Sequence, residues 1–392
     1  MKETQISSVP NLCLADYIFT LSNDKSLERQ KQAIELLLDA IKKENLAPLY
    51  LYLHEHFKEF PFDITIYNDL KTENDKELEK LDNEIKEVQE MDSDQEIADI
   101  LKKKAEFFAR ICDKDRALES YQEAYNNNTA IGFQIDILFG IMRIALFFSD
   151  IPLFIRNMDK AKNFVDNGAD WDRKNRLKTY MALHFMSIRN FKEASCLFLD
   201  SISTFTSTEL MKYEDVVKYT IITGSISLER VDFKQKIVDS PELLSVITTD
   251  KSFVSLKNMV NSLYYCNYAL FFRALADIEE NHLRVNRYLF LHADYYVREM
   301  KRKSYAQLLE SYKALSISSM ASAFGVSIEF IDKDLSRFIA NKQLNCIIDR
   351  VNGIIETNRP DSKNAQYQLL IKQGDHLLNK LQKFQARIMA GM

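Results

Sequence analysis

At 392 residues with 46% hydrophobic side chains, the chain can hold two or three domains or one extended solenoid, and wholesale disorder is excluded. Only 8 Gly and 6 Pro are present, as expected of long helices joined by short turns, and 18 Tyr with 25 Phe suit the space between packed helices. A net charge of −5, from 52 basic and 57 acidic residues, argues against a general nucleic-acid binder, because counterion release needs clustered surplus Lys and Arg.

The cysteines Cys13, Cys112, Cys196, Cys266 and Cys346 are odd in number and have no CxxC pairing. Buried, reduced thiols in a cytosolic or nuclear protein are expected. Residues 1–10 are polar and lack the apolar core of a signal peptide. The most apolar window, 131–148, is interrupted by Gln134, Asp136 and Arg143, which predicts an amphipathic helix and no membrane span.

In chain order, the segment to about Asp63 reads as helices broken at Pro48 and Pro61, with Ser26 as N-cap of a helix carrying Ile34, Leu37, Leu38 and Ile41. Residues 71–90 are almost entirely charged, with Leu78, Leu81, Ile85 and Val88 spaced three, four, three. That narrow stripe predicts a long helix packed along one seam, its charges solvating and supporting it. From about Asp94 helical segments pause at Cys112-Asp113, Ser149-Asp150, Arg189-Asn190 and Arg230-Val231-Asp232, at roughly 36 to 41 residues, near the period of helix-hairpin repeats. Small residues (Ala117, Ala124, Ala161, Ala194) fall at contact positions after three of these pauses, as in degenerate tetratricopeptide-like arrays.

Near the end the pattern changes. Met320 and Phe324 share one helix, Gly325 follows, and Ile328, Ile331, Leu335 and Ile339 mark the next. Residues 344–349 then read as a strand, Asn352-Gly353 as a type I′ turn and 354–357 as the returning strand, the outline of a winged helix. After Pro360, Tyr367, Leu370, Gly374, Leu377, Leu381, Phe384 and Ile388 step three, four, three, four, three, four along a final helix, and Ile371 and Leu378 widen the seam. Burying each Leu or Phe is worth on the order of 2 kcal/mol, so this stripe needs a partner. Pattern alone leaves two open: the chain's own body, or helices of other proteins. The predicted fold is an all-α, degenerate tetratricopeptide-like solenoid (94–303) after an N-terminal helical region (1–93), capped by a small α+β winged helix (304–359) and a C-terminal helix (360–392).

A search for chemistry finds none. No Gly precedes Lys, so a P-loop is missing, and there is no GxGxxG. His54-Glu55-His56 resembles the opening of a zinc site, but on a helix side chains two apart diverge and cannot share a metal. His184, His282, His292 and His376 have no Cys or His at ligand spacing. A non-enzyme without metal or cofactor is expected. The recognition-helix candidate carries Glu329, Asp332 and Asp334 against Lys333 and Arg337, and Arg350 with Lys342 do not restore a basic footprint. Docking of protein through the hairpin edge, around Leu344, Ile347 and Ile354, is favoured over nucleic acid.

A helical array ending in a winged helix is the layout of the PCI module, shared by subunits of the proteasome lid, the signalosome and a translation-initiation complex. The runs Gly168–Lys178, Leu197–Ser207, Tyr295–Met300, Tyr305–Tyr312, Ala323–Val326 and Phe330–Ala340, and above all Ile355-Glu-Thr-Asn-Arg-Pro-Asp-Ser-Lys-Asn364, resemble the lid branch known as non-ATPase regulatory subunit 6. The resemblance spans nearly the whole chain; before about Asp94 it is mainly one of layout. It implies a non-catalytic scaffold in the cytoplasm and nucleus, part of a hetero-oligomer serving ubiquitin-dependent degradation. Its winged helix would line up beside those of other PCI subunits, and its arm would be able to touch the deubiquitinase and the ATPase ring. It also tips the terminal stripe (Tyr367, Leu370, Leu377, Leu381, Phe384, Ile388) toward a bundle with partner helices. A signalosome scaffold and a nucleic-acid-associated PCI protein are the alternatives.

Overall fold

The computed structural model describes residues 8–23, 26–57, 60–89, 94–168, 170–358 and 362–390. The chain forms two compact units, Met1–Tyr264 with Arg273–Val297, and Tyr265–Phe272 with Arg298–Met392.

In the first unit, α1 (Leu12–Asn23), α2 (Leu27–Glu44), α3 (Ala47–His56) and α4 (Ile64–Gln89) precede three helical hairpins. These pair α5 (Asp94–Arg110) with α6 (Lys114–Asn127), α7 (Ile131–Phe147) with α8 (Ile151–Asp166), and α9 (Trp171–Ser187) with α10 (Phe191–Ile202). Then come α11 (Tyr213–Ser227), which packs on α10, and the shorter α12 (Arg230–Phe233), α13 (Pro241–Thr249) and α14 (Val254–Tyr264). The charged α4 lays Leu78, Leu81 and Ile85 against a core containing Leu101, Ala105 and Phe108 of α5. Two of its acids do more than solvate: Glu77 pairs with Arg110 at 2.6 Å and Asp82 with Lys104 at 2.8 Å.

Each hairpin turns through the same device. Cys112, Ser149 and Arg189 adopt left-handed backbone conformations (φ 62°, 57° and 68°). The next N–H, of Asp113, Asp150 or Asn190, donates back to the carbonyl of Phe108, Ala145 or Phe185 at 3.0, 2.8 and 2.8 Å. This is the Schellman closure of a helix C-terminus. The same residue then caps the following helix, its side-chain oxygen accepting from the N–H of Arg116, Leu153 or Glu193. One dipeptide ends one helix and starts the next. The fourth predicted pause departs from this: Arg230 begins the four-residue α12 behind Glu229, and no left-handed residue is found there. The hairpins close tightly because Ala117, Ala124, Ala161 and Ala194 are fully buried.

Helix α7 is not amphipathic, contrary to the expectation from its polar interruptions. Eleven of its residues are buried, on every face, from Ile135 to Phe147. Asp136 is drawn to Arg173 of α9, and Arg143 is itself buried and hydrogen-bonded. The cysteine expectation holds in part. Cys112 and Cys346 are buried, but Cys13, Cys196 and Cys266 are exposed.

The second unit is built around Phe324, on α17 (Ile317–Phe324). Its ring stacks on Tyr268 (4.7 Å between centroids) and meets Phe272 and Tyr305 at 4.9 Å each. Tyr268 and Phe272 lie on the first turns of α15 (Tyr268–Ile278), and Tyr305 on α16 (Ala293–Ser311). Gly325 ends α17 at φ 66°, a left-handed position that a residue without Cβ adopts freely. Helix α18 (Ile328–Ala340) buries Ile331, Leu335 and Phe338; Ile328, expected in that stripe, is exposed in its first turn.

The sheet has three strands where the sequence predicts two. β1 (Ala314–Ser316), β2 (Cys346–Asp349) and β3 (Ile354–Thr357) are all antiparallel in the order β1-β3-β2. Asp349 pairs with Ile354, so the wing turn spans four residues instead of a two-residue type I′ turn. The Asp349 carboxylate organises it, accepting from the N–H of Val351 (2.9 Å) and Asn352 (3.3 Å) and from the Asn352 amide (2.7 Å). Those bonds, that from the Asn352 side chain foremost, hold its carboxyl below the usual range. Only Gly353 is left-handed, at φ 64°. The terminal helix α19 spans Ser362–Ala390.

Candidate assembly surfaces

Two surfaces of the second unit carry the expected interface residues. The first is the open edge of the sheet. Because β3 is central, paired with β1 and β2 at once, the free edge of the wing is β2. Ile347 on β2 is 59% exposed, and Val351 at the wing tip is 94% exposed. Beside the strand runs a groove of about 430 Å³ lined by Ile339, Lys342, Leu344, Asn345, Cys346 and Ile347. Leu344 and Ile354 take other roles than presented side chains. Leu344 belongs to the buried core and forms the groove floor, and Ile354 is half-buried on the central strand. An edge strand offers unpaired backbone groups to a second sheet.

Charged side chains of the wing and of α18 find partners within the unit. Arg350 donates to Asp332 of α18 at 2.9 Å, and Asp334 of the same helix accepts from Lys301 at 3.2 Å. The ammonium of Lys301 also sits 4.6 Å over the ring of Phe330.

The second surface is α19. Tyr367, Leu370, Leu377, Leu381 and Phe384 are all more than half exposed. So are Ile371 and Leu378, and Leu369, which the three-four stepping does not include. Nothing lies within 4 Å of the Cβ position of Gly374. Ile388 lies on the helix, with its side chain outside the described residues. Pattern alone left two ways to bury the stripe, and its described side chains are exposed. An isolated helix draws little stability from propensity, so an apolar face of this length calls for a partner.

Among the described residues no group of three or more His, Cys, Asp or Glu is placed to hold a metal, and no helix is long and apolar enough to cross a membrane. His54 stacks on Phe62 at 4.3 Å, while His56 stacks on Tyr52 at 4.1 Å, so the two rings of the His-Glu-His run are engaged separately.

A helical array joined to a winged helix of this topology defines a PCI-type protein, and comparison with known families agrees. The PCI domain profile matches residues 273–359, that of 26S proteasome subunit RPN7 matches 63–236, and that of the 26S proteasome regulatory subunit RPN7/PSMD6 C-terminal helix matches 366–388. Over 387 residues the chain is 48% identical to 26S proteasome regulatory subunit rpn7 of Schizosaccharomyces pombe, covering 98% of each. It is 44% identical to the Saccharomyces cerevisiae subunit RPN7 over 404 aligned positions, covering 98% of this chain and 94% of the relative. COP9 signalosome complex subunit 1 of Arabidopsis thaliana shares 24% over 202 residues, 51% of this chain and 45% of that protein. The chain belongs to the RPN7/non-ATPase subunit 6 family of 26S proteasome regulatory subunits.

Proposed function

We propose that the chain is a non-catalytic scaffold subunit of the lid of the 26S proteasome regulatory particle, supporting ubiquitin-dependent protein degradation in the cytoplasm and nucleus. The observation that carries the reading is α19, a 29-residue helix whose apolar stripe is exposed from Tyr367 to Phe384. At about 2 kcal/mol per buried Leu or Phe, a bundle with partner helices would be held strongly by this face alone. The β2 edge supplies a second contact of different chemistry, backbone pairing with a neighbouring PCI sheet. The partners expected are other PCI-containing and deubiquitinase subunits of the lid, with the ATPase ring within reach of the helical arm.

Affinity purification of the endogenously tagged chain, with mass spectrometry of what accompanies it, tests this reading. Lid and ATPase subunits in near-equal amounts are expected. A complex lacking ATPases, or RNA with export factors, would contradict it. Imaging of the tagged chain checks the compartments.

A further inference from the structure

Neither assembly surface uses the run Asp170-Trp-Asp-Arg-Lys-Asn-Arg-Leu-Lys178 at the start of α9. Its arginines are structural. Arg173 donates from Nε and Nη2 to the two carboxylate oxygens of Asp136 on α7, at 3.0 and 2.9 Å, and from Nη1 to Asp170 at 2.6 Å. Gly132 makes room for this fork, since a Cβ there would lie 3.1 Å from the guanidinium carbon. Arg176 divides between Asp172 at 2.8 Å and Glu209 at 3.1 Å. Asn175, Leu177 and Thr179 are buried. The first turns of α9 are thus fixed to α7 and to the turn at Glu209 by ion pairs, the Asp136 pair bidentate.

Trp171 is what this frame leaves outside. It is 62% exposed on a helix whose neighbouring side chains are immobilised. A tryptophan held out on a rigid support loses little entropy on contact, which is why this residue type dominates binding hot spots. The surrounding charge points to what it meets. Of the four carboxylates paired with the two guanidiniums, Asp136 and Glu209 are turned inward, and Asp170 and Asp172 reach solvent. Lys174 is exposed, and Lys178 is 3.6 Å from Asp200. Asp170 and Asp172, next to Trp171 on either side, keep 76% and 44% of their side chains in solvent. The negative face of an indole ring beside exposed carboxylates is complementary to a cation.

We propose that Trp171, flanked by Asp170 and Asp172, docks a lysine or arginine side chain presented by another subunit of the assembly. The proposal rests on the assembly reading above, and the test separates the two. Trp171 is the sole tryptophan of the chain, so 5-fluorotryptophan incorporated into this subunit gives one fluorine resonance. Its shift and accessibility to a soluble paramagnetic probe are compared between the free full-length chain and the chain in the purified complex. A changed shift and protection in the complex are expected. In competition with the wild-type chain, Trp171→Ala should enter the complex about tenfold less well, with an unchanged melting temperature, while Trp171→Phe keeps most of the binding. Asp170→Asn leaves Arg173 on Asp136 and should cost several-fold, an effect that shrinks as salt rises.

If the complex forms and the resonance stays as in the free chain, the proposal is wrong and the assembly reading stands. Concentration-dependent protection of the free chain would overturn it in favour of a second copy of the same chain. A chain that enters no complex would overturn both.

Discussion

Arg143, 2% exposed in the middle of α7, donates from Nε to the carbonyl oxygen of Val9 at 3.0 Å, across 134 positions of sequence. Its Nη1 reaches the Tyr180 hydroxyl of α9 at 3.4 Å, and the Tyr180 ring in turn stacks on Phe139 of α7 at 5.0 Å. A buried guanidinium is tolerated only where such acceptors meet it, so the N-terminal segment is part of the array's core. Arg143→Met should lower stability by about 2 kcal/mol, since the Val9 carbonyl loses its donor. Hydrogen exchange should also quicken across residues 8–23. Unchanged exchange there would show that α1 is held without this bond.

The terminal stripe makes a prediction with two readouts. Leu377→Asp combined with Leu381→Asp replaces side chains that touch solvent in the free chain, so its unfolding free energy should move by less than about 0.5 kcal/mol. The same variant should be lost from the purified complex. Normal assembly of the double variant would sink the bundle as the means of attachment.

For the sheet edge, Ile347→Lys places a charge on β2 where natural edge strands carry lysine to discourage pairing. The free chain should fold as before because Ile347 is exposed. The yield of neighbouring subunits in a pull-down should fall several-fold. Full retention would mean that β2 is not the docking edge.

His184 ties stability to pH. Its ring is buried and stacked on Phe154 at 5.2 Å, and burial lowers its pKa from 6.5, with Asp159 opposing. The unfolded chain therefore takes up the proton first, and stability fully present above 6.5 is lost as pH falls below that value. Denaturant midpoints measured from about pH 7.5 to about 5.5 should decline more steeply for the wild type than for His184→Phe. Parallel slopes would show that His184 titrates alike in both states.

What the sequence by itself determined are the features set by residues a few positions apart. Cys112-Asp113, Ser149-Asp150 and Arg189-Asn190 are legible as pauses because a Schellman closure and an N-cap are both made within one turn. The end of α17 at Gly325 and the hairpin of the wing, though not its turn type, are legible the same way, and the repeat of Tyr367, Leu370, Leu377, Leu381 and Phe384 shows that one face of α19 is apolar. The three-four spacing of Leu78, Leu81 and Ile85 likewise placed α4 on its seam.

Only the tertiary structure decided what each face meets. The polar residues of α7 suggest a wet side, yet Asp136 finds a partner on α9, and Arg143 is buried with the rest and bonded to Val9. Strand β1 is three residues long, too short for alternation to show, and exists because β3 has a second edge to pair. The same pairing moves Ile354 from the rim of the sheet to its centre, and the choice of Phe338 over Ile328 depends on where Tyr305 and Phe324 stand. Periodicity records which side chains share a surface. Burial is set by groups far away in the chain, and the periodicity of α19 does not name the groups that would cover its face.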